Sequence, residues 1–260
     1  MKHITWPRWI AAVSFLVVGL LSGGGCIKID ATLSLNRDGG GTLRAMYGMP
    51  SFLIKQLDVT RQWTRSLEVA EGRTNSAPLS ALDIPMVFDE PLLNAKFRKM
   101  AVDGVILETL RTRDQGGWKY VDFTVKFNRL EKLMQQSFFK DCGVSFKVSG
   151  DEVCKLSVTL PESAPAVTSG ALGSPEAIAK LTPFLNGLRV VVRMDLPGDI
   201  RNSTSSVSDS RRATWEWDFD KDIHVMDRLA QEKMIVLFDG SSIRMKEFEK
   251  PAGSNLASAK

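Results

Sequence analysis

A period-two alternation of apolar side chains, repeatedly broken by turn chemistry, restricts this chain's fold more than any other feature. Ile27, Ile29, Ala31, Leu33 and Leu35 share one parity; Asn36-Arg37-Asp38-Gly39-Gly40-Gly41 follows, and an extended segment returns from Thr42 to Tyr47. Successive side chains of a strand point to opposite faces, so such a segment buries one face and wets the other. Joined by an Asp-Gly turn, two of them make a hairpin. The glycines do not form a phosphate loop: no Gly-Lys-Ser/Thr follows, and the chain continues as a strand rather than opening a helix.

The same pattern predicts strands over Val105–Leu110 and Trp118–Phe127 around Asp114-Gln115-Gly116-Gly117. A hairpin is expected to turn around Ser149-Gly150-Asp151, with Val144, Phe146 and Val148 on one arm and Leu156, Val158 and Leu160 on the other. Further strands are expected over Arg189–Leu196, Ala213–Phe219 and Lys233–Phe238, with 202–210 a polar loop. Between them lie helical periods. Pro50-Ser51 opens one that runs to about Ala70, with Phe52, Leu53, Leu57, Trp63, Leu67 and Val69 as its apolar stripe. Asp89-Glu90-Pro91 opens a second through Met100, with proline in its first turn. Asn128 is the expected cap of a third, Arg129–Phe139. Ser174-Pro175-Glu176 starts a helix that ends at Gly187, and a short helix is expected over Asp222–Gln231.

Paired strands with helices between them predict an α+β fold with a mostly antiparallel sheet and helices packed against it. One domain is expected over 26–249, with 161–173, rich in Pro, Ala, Ser and Gly, as the alternative boundary. Residues 71–85 read as a polar linker and 250–260 as a disordered tail.

The first 25 residues read as a signal peptide. Lys2, His3 and Arg8 precede an apolar run over 9–21, about 13 residues where a spanning helix needs roughly 20. Small residues then lead into a cysteine, Leu21-Ser22-Gly23-Gly24-Gly25-Cys26. This segment resembles the bacterial lipobox, with Gly23 where that motif carries a large aliphatic residue. The resemblance implies a diacylglyceryl thioether on Cys26, hence a chain held at a membrane by its lipid. Ile27 stands where enteric lipoproteins retained at the inner membrane carry aspartate, which favours an outer membrane where the host has two.

Cys142 and Cys154 remain. An oxidising compartment permits a bridge between them. A regular hairpin pairing Cys154 with Phe146 or Val148 would hold the two cysteines roughly 13–20 Å apart, too far for a disulfide. The bridged and free forms both stay open.

The net charge of +4 includes Lys2 and Arg8 of the export signal, and basic pairs such as Arg211-Arg212 are isolated, so nucleic-acid binding is not expected. His224 is the one histidine left after the signal, which excludes a histidine-based metal cluster. Asp218, Asp220 and Asp222 suggest a calcium loop, but Ile223 and Leu229 occupy the positions needing Gly and Glu. No Gly-x-Ser-x-Gly elbow exists. Neither a cofactor nor a metal is expected.

Trp215 and Trp217 share strand parity. They are expected to pack as core, with a platform for lipid, glycan or peptide as the alternative. The helix at 50–70, with Trp63, Lys55, Arg61 and Arg65, is expected to pack on the sheet, with a membrane surface as its alternative.

Three stretches, "CIKIDATLSLNRDGGGTL", "WKYVDFTVKFNRLEKLM" and "VVVRMDLPGDIRNSTSS" with "ATWEWDFD", together resemble the LppM-like family of bacterial envelope lipoproteins. That resemblance implies an envelope α+β domain with a binding role and supplies no catalytic residues. The expected function is therefore a non-catalytic binding or assembly role in the bacterial envelope. Its expected partners are the membrane, through the lipid, and an envelope protein, lipid or glycan. The alternative is an envelope hydrolase.

Overall fold

A computed structural model describes residues 27–70, 87–101, 104–136, 143–149, 153–159, 187–222, 224–225, 228–229, 232–241 and 243–244. Strands β1 (Lys28–Leu35) and β2 (Gly41–Pro50) form the first hairpin, with Leu35 opposite Gly41 and Lys28 opposite Gly48. The turn closes through Asn36 N–H donating to Gly40 O at 2.8 Å. Gly41 is required by space, since a Cβ there would lie 2.1 Å from Ser34 O. Helix α1 (Ser51–Ala70) follows directly, then α2 (Glu90–Met100). Asp89 caps α2, its Oδ1 accepting from Leu92 N–H at 3.0 Å, with proline in the first turn as the sequence predicts.

Strands β3 (Val105–Gln115) and β4 (Trp118–Phe127) pair antiparallel around Gly116 and Gly117, whose φ values of 59° and 78° need residues without a Cβ. Helix α3 (Leu130–Gln135) then begins at Arg129, which makes no side-chain cap. The expected cap residue Asn128 instead packs its amide against Gly104. Strands β5 (Gly143–Ser149) and β6 (Val153–Thr159) pair with Val148 opposite Cys154, one of the two registers the alternation allows. After β7 (Arg189–Asp195) come β8 (Ile200–Ser203), β9 (Val207–Ser208), β10 (Arg212–Asp218) and β11 (Met234–Asp239).

The strands make two sheets. One has seven strands in the order β3-β4-β2-β1-β7-β10-β9; the other has four in the order β5-β6-β11-β8. The larger is mixed, because β1 and β7 run parallel, Lys28 beside Arg189 and Ser34 beside Asp195. It draws strands from both sides of residues 161–173.

This architecture corrects the expected α+β class. Of the described residues 50% are in strands and 25% in helices, so the fold is mostly β. The physical reason is where the core lies. Phe123, Phe127, Met194, Trp215 and Trp217 of the larger sheet and Cys154, Leu156, Val236 and Phe238 of the smaller enter one apolar cluster. The sheets therefore bury much of each other's apolar faces, and helices need cover only part. The polar stretch 202–210 also contributes strand: β8 edges one sheet and β9 the other. The helix expected at 176–187 lies outside the described residues except for Gly187, and the one at 222–231 is described only in part. From that segment Val225 and Leu229 join the core.

Trp217 sits 2% exposed in this cluster, and its Nε1 donates to Glu232 Oε2 at 3.0 Å. Trp217→Ala is expected to cost about 3–5 kcal/mol and lower Tm by several degrees in a thermal melt. A Tm within roughly one degree of wild type would contradict the packing described.

Candidate functional site

Cys26 and Cys142 lie outside the described residues. Cys154 is a free, buried thiol, and burial, with a smaller contribution from Asp239, pushes its pKa up to about 11. Trp215 and Trp217 are both buried, and Trp215 Nε1 donates to Thr204 Oγ1 at 3.2 Å. Neither ring presents a face to solvent. His224 is exposed, with its N–H donating to Asp222 Oδ1 at 2.9 Å. Asp218 and Asp220 are used locally: Asp218 Oδ1 accepts from Asp220 N–H at 3.1 Å, and Asp220 Oδ1 from Gly187 N–H at 2.8 Å. Among the described residues no group of three or more His, Cys, Asp or Glu is placed to hold a metal ion.

The larger sheet has an apolar inner face and a polar outer one. In β4 the inner parity is Val121, Phe123, Val125 and Phe127, all buried. The outer parity is Trp118, Tyr120, Asp122, Thr124 and Lys126, so two aromatics stand among polar neighbours. Trp118 and Tyr120 stack with centroids 6.1 Å apart and planes inclined by 19°. The Lys28 ammonium lies 4.2 Å from the Trp118 centroid, and the Arg113 guanidinium 4.5 Å from that of Tyr120. Tyr120 lies across Gly48, where a Cβ would come 2.4 Å from its Cδ1. These four side chains form a row, two stacked rings with a cation at each end, half open to solvent. Sequence pattern singles out Trp215 and Trp217 and not this pair. The available signal was parity, since Trp118 and Tyr120 alternate with Val121 and Phe123 and so point away from the core.

Ion pairs occupy that face across β1, β7 and β10. Arg193 pairs with Asp30 across the parallel ladder. Asp195 accepts from Arg212 Nη2 at 3.0 Å and from Ser34 Oγ at 3.1 Å. The Arg212 guanidinium chiefly holds the Asp195 carboxyl below the usual carboxylate range. Glu216 is likewise lowered, first by its hydrogen bond from Lys221, with Arg189 beside it. These pairs join β1, β7 and β10.

Helix α1 carries apolar residues on two opposite sides. Leu53 and Ile54 are buried in the core and Leu57 packs against it. Phe52, Val59 and Trp63 are 69%, 66% and 67% exposed. At 100° per residue these three fall within about 40° of one another, roughly opposite the buried side. The stripe read from the sequence thus divides: Leu53 and Leu57 face the sheet, Phe52 and Trp63 face out. The expected packing and the exposed face coexist on one helix. Among the described residues no helix is long and apolar enough to cross a membrane.

The aromatic row and the start of α1 share one end of the sheet. Lys28 is opposite Gly48, Pro50 is opposite Trp118, and Ser51 N–H donates to Gly117 O at 2.8 Å. Ile27 is buried there, its carbonyl accepting from Arg189 N–H at 2.9 Å.

No protein-family model and no curated protein matches the chain. Nine chains of solved structures do. Among them is the NMR structure of the folded domain of LppM from Mycobacterium tuberculosis, which is 10% identical, covers 83% of this chain and 91% of its own, and has a TM-score of 0.40. The two align over most of their lengths but superpose only loosely.

Two outcomes are expected. Burial raises the pKa of Cys154 and of Tyr47, whose hydroxyl donates to Val87 O. A thiol that ionises more easily unfolded than folded keeps its stabilising contribution below the unfolded pKa of about 9 and loses it as pH rises toward 11. Denaturant unfolding should therefore show stability falling over that window, and Cys154→Ala should flatten the fall; identical slopes in both proteins would contradict the buried-thiol assignment. Trp118→Ala removes a half-buried ring, its stacking on Tyr120 and one cation contact. It should cost about 1–2 kcal/mol of unfolding free energy, and a loss above roughly 3 kcal/mol would show that the ring is part of the core.

Proposed function

We propose that this chain is a lipid-anchored protein of the bacterial envelope with a non-catalytic binding or assembly role. One observation carries the reading. The export-type segment and its small-residue run end at Cys26, and the next residue, Ile27, is already buried in the sheet. A lipid on Cys26 would thus attach to the folded domain with no flexible spacer, and would fix the Ile27 end of the sheet at the bilayer. Two or more acyl chains, at roughly 0.8 kcal/mol per buried methylene, are enough for stable attachment.

A binding role is supported by the Trp118–Tyr120 row beside Lys28 and Arg113, a half-open aromatic and cationic surface at the same end. Rings of this kind suit sugar faces, and the cations suit anionic groups carried on them. An envelope glycan or glycolipid is the ligand class these residues favour.

Growth of the producing bacterium with labelled palmitate tests the anchor. The wild-type chain should take up label and Cys26→Ser should not. Equal labelling of both, or of neither, would end the lipoprotein reading.

A further inference from the structure

We propose that the outward face of α1, carried by Phe52, Val59 and Trp63, docks into the surface of a phospholipid bilayer beside the Cys26 anchor. This deepens the reading above and rests on Cys26 as the anchor only for where the bilayer stands. The stripe itself is a property of the helix.

Three observations single out a bilayer as the occupant. The first is the helix's two-sidedness. Leu53, Ile54 and Leu57 already satisfy the inward side, so Phe52, Val59 and Trp63 are not needed for packing, yet each leaves about two thirds of its surface in water. Three such residues on one narrow stripe form a patch, whereas single exposed apolar residues are ordinary.

The second is where the chain outside the described structure ends. Residues 1–26 join the fold at Ile27, and Lys28 pairs with Gly48, three residues before α1 starts at Ser51. With strands about 4.8 Å apart, the anchor's attachment point lies roughly 10–15 Å from Phe52. From Phe52 to Trp63 the stripe extends about 16 Å along the helix. A lipid at Cys26 therefore brings the membrane to the helix end where the stripe begins.

The third is chemistry. Trp and Phe with a flanking Lys55 are the side chains favoured at the level of lipid headgroups, where an apolar body is buried and a polar edge or ammonium stays wet. Exposed Gln56, Thr60, Gln62 and Ser66 border the stripe as polar shoulders. The one exposed cation among these flanking residues makes a modest charge contribution, so docking should persist on neutral lipid and strengthen only slightly on anionic lipid.

The test uses the full chain in phosphatidylethanolamine–phosphatidylglycerol vesicles, part of whose lipid carries bromine on the acyl chains. Bromine quenches only tryptophans that enter the bilayer. In a Trp6→Phe, Trp9→Phe, Trp118→Phe background, which leaves Trp63, Trp215 and Trp217 as the only tryptophans, the protein should lose fluorescence relative to unbrominated vesicles, and most of that loss should vanish when Trp63→Phe is added, because Trp215 and Trp217 stay buried in protein. Equal quenching with and without Trp63→Phe would overturn the docking. Phe52→Ser with Trp63→Ser should keep the wild-type melting temperature, since both positions are exposed, and should lose the quenching. A wild-type dimer in detergent that this double variant converts to monomer, with no bromine effect in vesicles, would assign the stripe to a second copy of the chain and overturn the bilayer assignment. Palmitate labelling reads the anchor separately: a labelled chain with unquenched Trp63 defeats the docking alone, and an unlabelled chain with quenched Trp63 defeats the anchor alone.

Discussion

The parallel pairing of β1 with β7 is the contact on which the rest of the structure depends. β1 is hydrogen-bonded along one edge to β2 and along the other to β7. Through β2 it carries β4 and β3; through β7 it carries β10 and β9. Without that ladder the first hairpins and the last strands would be separate small sheets, each with an exposed edge. Arg193 with Asp30, and Ser34 with Asp195, tie the same two strands on the outer face. On the inner face the register places Ala31 beside Val192 and Trp215 opposite Val192, which brings the tryptophan strand over the shared core. Parallel pairing needs a long crossover, so it is absent from local sequence and sets a high entropic cost on closing the fold.

Much of the local structure was legible. The hairpin turns at Asn36–Gly41 and Gly116–Gly117, the Asp89 cap, and the strands at β1, β4, β7, β10 and β11 follow from parity, glycine and capping chemistry. Parity also puts Trp215 and Trp217 on one side, and that side is buried. What sequence did not disclose is partner choice. The alternation of β1 is the same whether its second neighbour is antiparallel or parallel. Val207 and Ser208 form a strand only because β10 offers its edge, with Ala213 opposite Ser208; their own composition reads as loop. The helical periods suggested an α+β balance because a period shows that a helix can form without showing how much of the core it covers. In this fold sheet packs on sheet, and that decides the class.

The candidate site was only half legible, for a related reason. Attention falls on tryptophans close in sequence, and Trp215 and Trp217 are such a pair. The solvent-facing aromatics are Trp118 and Tyr120, identified by their parity relative to Val121 and Phe123. Their cations come from Lys28, far away in sequence, and from Arg113 across the β3–β4 turn. Likewise the stripe of α1 reads as one apolar face in sequence, because Phe52 and Leu53 are adjacent. Only the packed structure shows that Leu53 turns inward and Phe52 outward.

These features share one end of the larger sheet. Ile27, the start of α1, the β3–β4 turn and the aromatic row all lie there, while Lys126 stands at the other end, opposite Thr42. In the proposed orientation the Ile27 end faces a bilayer. Reaction of lysines with a water-soluble acylating reagent, read residue by residue by mass spectrometry, tests it most directly. On the full chain bound to vesicles, Lys55 should react several-fold more slowly than in detergent-free unbound protein, while exposed Lys126 reacts at an unchanged rate. Equal rates at Lys55 with and without vesicles, or slowing at Lys126 instead, would contradict the orientation.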